Sequence, residues 1–263
     1  MITTPWQWPH FDPIFFSIGP LALRWYGLLY LVGFCFTLMQ TKRQARQPNS
    51  GWQPTEVEAL VQAGFIGLLF GGRIGYILVY QLATFITDPL SLLRIWEGGM
   101  SFHGGLVGAL IAFAWFARRT QRSFLAVADF IAPWVPVGLG LGRLGNWING
   151  ELWGRVTTLP WGVVFPQAGP LPRHPSQLYE AFLEGVVLFL LLRYYRRRTP
   201  SQGLLSALFL IGYGSLRFMV EYLREPDPQF IAIVSSFTMG QWLSIPMVIT
   251  GVILWYRSYR KPA

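Results

Sequence analysis

The chain has 263 residues, of which 52% are hydrophobic and only 13% charged, and its mean hydropathy is +0.39. This composition is too apolar for an ordinary soluble domain and indicates an integral membrane protein with several spans. The net charge of +9 comes from short basic clusters between apolar runs, which argues against a nucleic-acid partner. Cys35 is the single cysteine and the three histidines lie far apart, so we expect no internal disulfide and no metal site.

Seven apolar stretches predict an all-α membrane protein in which residues 1–263 form a single transmembrane domain with seven helices. The expected spans cover about residues 19–40, 57–80, 102–117, 124–144, 176–192, 203–223 and 238–256. Pro133 and Pro136 lie inside the fourth stretch and predict a kink there. Two segments outside the spans have a different character. Residues 81–100 predict an amphipathic arm at the membrane surface, and residues 149–175, rich in Pro, Gly and β-branched residues, predict a small extramembrane cap with short strands.

Basic clusters follow the first, third, fifth and seventh stretches and hold thirteen of the 21 Lys and Arg residues. The last of these clusters contains Lys261. The positive-inside rule places these ends in the cytoplasm. The N-terminus and the cap are then expected outside the cytoplasm and the C-terminus inside it.

Residues 138–154, GLGLGRLGNWINGELWG, combine six glycines with Arg143, Asn146, Asn149 and Glu151 at the end of an apolar run. A guanidinium in hydrocarbon costs several kcal/mol unless it is paired or faces a wet cavity, so Arg143 is a candidate site for an anion. The alternative is that the glycines only allow close helix packing while Arg143 extends to the membrane interface.

The outer ends of the second, fourth and sixth spans, with the start of the third, should lie in one leaflet. They carry Arg73, His103, Arg143, Asn146, Glu151, Tyr213, Arg217 and Glu221. Arginines in a partly desolvated pocket suit phosphate, and the phosphates at that depth belong to lipid head groups. Glu151 and Glu221 are expected to hold the arginines in place.

Two of these assignments have structural alternatives. His103 is either a base near neutral pH or a histidine that donates to a backbone carbonyl at a helix start. Tyr213 and Arg217, one helical turn apart, either present a phenol and a guanidinium to one ligand or are an interfacial Tyr and an Arg that extends to the interface. The chain contains no GxSxG, P-loop or CxxC motif, which favours a protein that brings two substrates together over one with its own nucleophile.

Six blocks in order give the chain a specific resemblance to the bacterial phosphatidylglycerol:prolipoprotein diacylglyceryl transferases. They are RWYG (24–27), GGRIGY (71–76), SFHGG (101–105), GRLGNWINGELWG (142–154), HPSQLYE (174–180) and YGSLRFMVEYLREPD (213–227). The resemblance implies a seven-span enzyme of the bacterial inner membrane with its site toward the periplasm and no cofactor. It would transfer the diacylglyceryl group of phosphatidylglycerol to the lipobox cysteine of preprolipoproteins, forming a thioether and releasing glycerol 1-phosphate.

The resemblance also implies roles for individual residues. Catalytic roles fall to His103, Tyr213, Arg143 and Arg217, and phosphatidylglycerol binding falls to Arg143, Asn146, Arg217, Tyr26 and Arg73. Glu151, Gly154, Asn149 and Glu221 would shape the site. Three other functions compete with this assignment: a transporter or flippase, a scaffold membrane protein whose arginines only form ion pairs, and a lipid-modifying transferase with another acceptor. A transporter is disfavoured because the two halves of the chain show no convincing repeat.

Overall fold

The structure, a computed structural model, describes residues 5–19, 21–94, 98–198, 201–226 and 237–260. Asp227 in the last sequence block and Lys261 in the last basic cluster lie outside the described residues. The chain forms two compact units, one comprising Phe36–Phe130 and the other Met1–Cys35 with Ile131–Ala263. They are called the central unit and the terminal unit below.

Most of the described residues are helical. The α-helices are α1 (Trp25–Ala45), α2 (Pro54–Tyr80), α3 (Leu82–Thr87), α4 (Phe102–Arg119), α5 (Phe124–Ile131), α6 (Val135–Asn149), α7 (Ser176–Glu180), α8 (Leu188–Arg196), α9 (Leu204–Val220) and α10 (Met239–Arg260). A π-helical segment, Ala181–Val187, joins α7 to α8, and 3-10 helices cover Pro89–Leu93 and Pro166–Ala168. The strands are β1 (Trp6–Gln7), β2 (Ile14–Ile18), β3 (Leu21–Arg24) and β4 (Val163–Val164).

A helix, or a run of consecutive helices, covers most of each of the seven expected spans. By length and hydropathy, α2 and α10 can cross a membrane, and α5 with α6 can form a third, broken span. The break expected from Pro133 and Pro136 is confirmed, because α5 ends at Ile131 and α6 begins at Val135. The structure therefore supports a helical membrane protein with at least two and up to three spans by these criteria.

The central unit is held together by close packing of α2 against α4. A Cβ atom on Gly67 would lie 2.5 Å from the carbonyl oxygen of Gly108 and 2.9 Å from the Ala112 Cβ. Only glycine allows two helix backbones to approach this closely, as in small-residue contacts between membrane helices.

Residues 81–100 contain α3 and the 3-10 helix Pro89–Leu93, while residues 95–97 lie outside the described part. Leu82, Ile86, Leu90 and Leu93 are all exposed. An exposed apolar surface on short helices agrees with an amphipathic arm, and its location at a membrane surface remains a prediction.

In the terminal unit, the first helix begins later than expected. Residues 19–24 were assigned to the first span, but β2 and β3 form an antiparallel hairpin there and α1 begins only at Trp25. Gly19 adopts a φ of +56°, which suits the turn of the hairpin. Apolar content alone does not distinguish strand from helix in a run this short, which is why the expected start was wrong.

Helix α6 packs against α7, the π-helical segment and α8 in the terminal unit. This helix continues to Asn149, five residues beyond the expected end, and stops where Gly150 takes the left-handed conformation at φ +64°. Among residues 149–175 the structure has one short strand, β4, which pairs in parallel with β1. Trp8, Val163 and Phe165 form a small apolar core under these strands, so residues 149–175 have a packed structure of their own.

Candidate active site

The centre of the candidate site is a buried carboxylate shared by two arginines of the terminal unit. Arg143 on α6 places Nε 2.7 Å from Glu180 Oε2 at the end of α7. Arg217 on α9 donates from Nη1 to the same oxygen at 2.8 Å. Glu180 is fully buried, so neither it nor the arginines could remain charged here without one another. Three helical segments thus meet at one charged cluster.

Arg217 is committed to carboxylates at both ends of its guanidinium fork. Besides Glu180, Nη1 lies 3.8 Å from Glu184 Oε1, and Nη2 lies 2.7 Å from Glu221 Oε2. The Glu221 contact is the i, i+4 pair expected from sequence. Only 11% of the Arg217 side chain is exposed. The alternative that Arg217 extends freely to the membrane interface is therefore wrong.

Arg143 keeps part of its guanidinium uncommitted. Its Nη1 makes a long contact of 3.5 Å with Asn146 Oδ1. Its Nη2 makes no hydrogen bond to any of the described residues. The side chain is 19% exposed. A guanidinium that is fixed through Nε while its other edge stays accessible is well arranged to receive an anion.

Residues 142–154 form the signature segment, which folds back on itself just after α6 in a turn called the signature turn below. Asn146 Nδ2 and Asn149 Nδ2 both donate to Glu151 Oε1, at 2.9 and 3.0 Å. We expected Glu151 to hold an arginine, and this is wrong. The turn at Gly150 places the Glu151 carboxylate next to the amides of Asn146 and Asn149, and it accepts hydrogen bonds from these and not from an arginine. Glu151 therefore orients Asn146, which in turn contacts Arg143.

Residues 174–180 also stabilise this turn through hydrogen bonds to residues 151–154. Gln177 Nε2 donates to the Glu151 carbonyl at 2.6 Å, and Ser176 Oγ donates to the Leu152 carbonyl at 3.1 Å. The Gly154 amide donates to the His174 carbonyl at 2.8 Å. Burial lowers the pKa of the His174 imidazole below its usual value. The turn that carries Asn146 and Glu151 is thus fixed by the segment that carries Glu180.

Two tyrosines of the terminal unit are also candidate site residues. The Tyr26 hydroxyl lies 3.3 Å from that of Tyr30, and its ring lies against α6, where a Cβ atom on Gly145 would be 2.7 Å from Tyr26 Cδ2. Tyr213 is buried and stacks on Phe209 with the rings 5.7 Å apart. Its ring belongs to an apolar cluster that includes Leu139 of α6 and Leu188 of α8. A buried position excludes the alternative of an interfacial tyrosine for Tyr213.

Arg73 of the central unit has a different role from the one expected. It is 4% exposed, and its five N–H groups all donate to backbone carbonyls. The acceptors are Leu92 at 3.1 Å, Gly98 at 2.5 Å, Gly99 at 3.2 Å, Ser91 at 2.5 Å and Arg94 at 3.0 Å. An arginine has five donors, so none is left for a lipid phosphate. We therefore reassign Arg73 from ligand binding to holding residues 91–94 and 98–99.

His103 lies in the first turn of α4 in the central unit. Its side chain is exposed, and its ring makes an edge-to-face contact with Phe102 at 5.6 Å. Among the described residues it donates to no backbone carbonyl, which contradicts the purely structural alternative. An accessible imidazole without a fixed partner remains available as a base, and that role stays a prediction.

Glu180 and Glu184 are the functional candidates that sequence reasoning missed. Both residues lie in the expected fifth span, and Glu180 also ends the HPSQLYE block, but the sequence pattern assigns neither of them to the site. The available signal was two carboxylates four positions apart within an apolar span, where an ionisable residue needs a partner.

In the described part of the chain, no group of three or more His, Cys, Asp or Glu side chains is placed to hold a metal ion.

Comparisons with known proteins agree with the six sequence blocks. Residues 13–257 match the family model described as prolipoprotein diacylglyceryl transferase. Proteins named phosphatidylglycerol–prolipoprotein diacylglyceryl transferase from Aeromonas salmonicida and Vibrio cholerae are similar to the chain over nearly its whole length. The first is 52% identical over 257 residues, covering 98% of this chain and 94% of that protein. The second is 55% identical over 255 residues, covering 97% and 94% respectively.

Proposed function

Because the chain belongs to the prolipoprotein diacylglyceryl transferase family, we propose that it transfers the diacylglyceryl group of phosphatidylglycerol to the lipobox cysteine of preprolipoproteins. A thioether forms and glycerol 1-phosphate is released. Full-length similarity to relatives that carry this activity in their names supports the reaction. The observation that carries the site assignment is Arg143, a buried guanidinium that is fixed at one edge and open at the other.

In this reaction the lipid phosphate binds at the open edge of Arg143. Arg217 adds a second positive charge behind it, and it contacts the phosphate directly only if one of its carboxylate contacts is exchanged. Asn146 offers an amide beside Arg143, and Tyr26 and Tyr213 line the site. Asn149, Glu151 and Gly154 keep the signature turn in shape.

The chemical step is a substitution at the glyceryl carbon that carries the phosphate. The acceptor thiol loses its proton, its sulfur forms a bond to that carbon, and the carbon–oxygen bond to the phosphate breaks. His103 is the proposed base. The lipid phosphodiester carries one negative charge, whereas the released monoester carries about two. Donors aimed at this growing charge each contribute on the order of 3 kcal/mol in a water-excluded site.

We further propose that the chain crosses the bacterial inner membrane seven times, using the helices that cover the seven expected spans. The basic clusters then lie in the cytoplasm with the C-terminus, and the N-terminus and residues 149–175 lie on the periplasmic side. Residues 81–100 rest on the membrane surface. The basic residues Arg118 and Arg119 at the end of α4 and Arg257 and Arg260 at the end of α10 support this orientation.

The experiment that tests the function is transfer by the purified protein in detergent from phosphatidylglycerol to a synthetic lipobox peptide. We expect a thioether product with a cysteine acceptor, no product with a serine acceptor, and loss of product in Arg143→Ala. Lack of product from the wild-type protein with bound phosphatidylglycerol would contradict the proposed reaction. Product on serine as well would indicate a transferase of wider acceptor range.

A further inference from the structure

We propose that Glu180 is a positioning residue for the transfer reaction and acts through Arg143. The inference rests on the proposed function, since it assigns a role in that reaction. Its basis is the single Glu180 oxygen that lies 2.7 Å from Arg143 Nε and 2.8 Å from Arg217 Nη1. The orientation of the open edge of Arg143 then depends on the charge of a residue that itself touches no substrate.

Arg143 has little else to fix it. Its second contact is the long one to Asn146, at 3.5 Å, which is too long to orient a guanidinium firmly. The ion pair with Glu180 is therefore the contact that determines which way Nη1 and Nη2 face. Without it the side chain would choose among several rotamers, and each hydrogen bond to phosphate would become less favourable.

Glu180 is in turn held rigidly by the backbone around it. It ends α7, and the π-helical segment that follows packs closely on α6. A Cβ atom on Gly185 would lie 2.8 Å from the Cα of Gly140. Such close contact between backbones fixes the distance from Glu180 to Arg143 within narrow limits. A π-helical turn within an α-helical run is often associated with a functional site.

The charge of Glu180 matters as much as its shape. Two guanidinium groups on one oxygen repel one another unless that oxygen carries negative charge. The second oxygen, Oε1, makes no hydrogen bond among the described residues. The carboxylate of Glu180 is thus held mainly by the two arginines, and Arg143 is held mainly by Glu180. A glutamine would keep the size of the side chain but would aim an uncharged oxygen or a donor at two cations.

The test is Glu180→Gln in the purified full-length protein, assayed for transfer from phosphatidylglycerol to the lipobox peptide. We expect kcat to fall by about 10- to 100-fold, because a guanidinium misplaced by about 1 Å loses contact with the charge that grows on the phosphate. KM for phosphatidylglycerol should change by less than about 3-fold, since the contact that is lost is mainly with charge that develops in the transition state. Glu225→Gln is the matched control. Glu225 pairs with Arg173 at 3.1 Å, its side chain is 47% exposed, and its variant should retain wild-type turnover.

A second comparison separates positioning from stability. Glu180→Asp keeps the charge but shortens the side chain, so its kcat should lie between those of the wild type and Glu180→Gln. In an Arg143→Lys background, Glu180→Gln should lower kcat by less than about 3-fold, because the residue through which it acts is already impaired. Wild-type kcat in Glu180→Gln, or an equally large loss in the Arg143→Lys background, would overturn the inference.

If Glu180→Gln does not fold, Glu180→Asp decides alone, and wild-type kcat in that variant would overturn the inference. Lack of transfer by the wild-type protein would instead count against the proposed function. The two failures are therefore distinguishable.

Discussion

Gly154→Ala provides a direct test of how the signature turn is built. A methyl group at this position would lie 2.5 Å from the Leu223 carbonyl oxygen, 2.6 Å from the His174 Cβ and 2.8 Å from the His174 carbonyl oxygen. Two of these three neighbours are backbone atoms, so no flexible side chain can move aside. Overpacking of this kind costs about 1–3 kcal/mol. At about 2–4 °C per kcal/mol for a protein of this size, the unfolding temperature should fall by about 2–12 °C.

The assay is thermal unfolding in detergent together with turnover on the lipobox peptide. Turnover of the folded Gly154→Ala protein should fall by at least about 10-fold, because the turn that aligns Asn146 and Glu151 is displaced. Gly138→Ala is the control, since a Cβ on this helical glycine meets nothing within 4 Å. It should unfold at or slightly above the wild-type temperature, as alanine favours the helix. Equal unfolding temperatures and turnover in both variants would refute the reasoning.

Three further outcomes are expected. Arg143→Lys should keep the fold but lose about 100-fold in turnover, because an ammonium cannot contact Glu180 while also offering a second edge to phosphate; normal turnover would contradict this. His103→Gln should lower turnover and abolish its rise with pH near neutrality, and an unchanged pH profile would exclude His103 as the base. Burial lowers the pKa of His174 below 6.5, so part of the stability present above pH 6.5 should be lost as the pH falls through its folded-state pKa. The unfolding temperature of a His174→Gln variant should depend less on pH over this range. The same pH dependence in the variant and the wild type would contradict a contribution from His174.

Much of the fold could be predicted because the relevant signals are local. Apolar length gave the positions of the helices, the two prolines gave the break before α6, and Glu221 lies one turn from Arg217 on the same helix. The link between Arg143 and Glu180 could not be predicted in this way. It joins residues 37 positions apart, and it depends on how closely α6 and the π-helical segment approach. The distance at which two helices pack cannot be predicted from the hydropathy of their residues.

The two arginines in glycine-rich apolar helices show most clearly where sequence reasoning stops. Arg73 and Arg143 both follow glycines in apolar runs, and both were predicted to bind lipid phosphate. They differ only in their partners. Arg143 meets one carboxylate and keeps an open edge, whereas Arg73 meets five carbonyls. Every residue has a backbone carbonyl, so residue type does not show which carbonyls will accept hydrogen bonds from an arginine.

This difference predicts opposite results for the same replacement. Arg73→Lys leaves three donors for five carbonyls, so we expect a loss of stability of about 3 kcal/mol and faster proteolysis within residues 88–94. KM for phosphatidylglycerol in the folded fraction should stay within about 2-fold of wild type, because the guanidinium does not touch the lipid. Arg143→Lys should show the reverse, with wild-type proteolysis and little turnover. A large rise in KM for Arg73→Lys, with unchanged proteolysis, would return Arg73 to the lipid site.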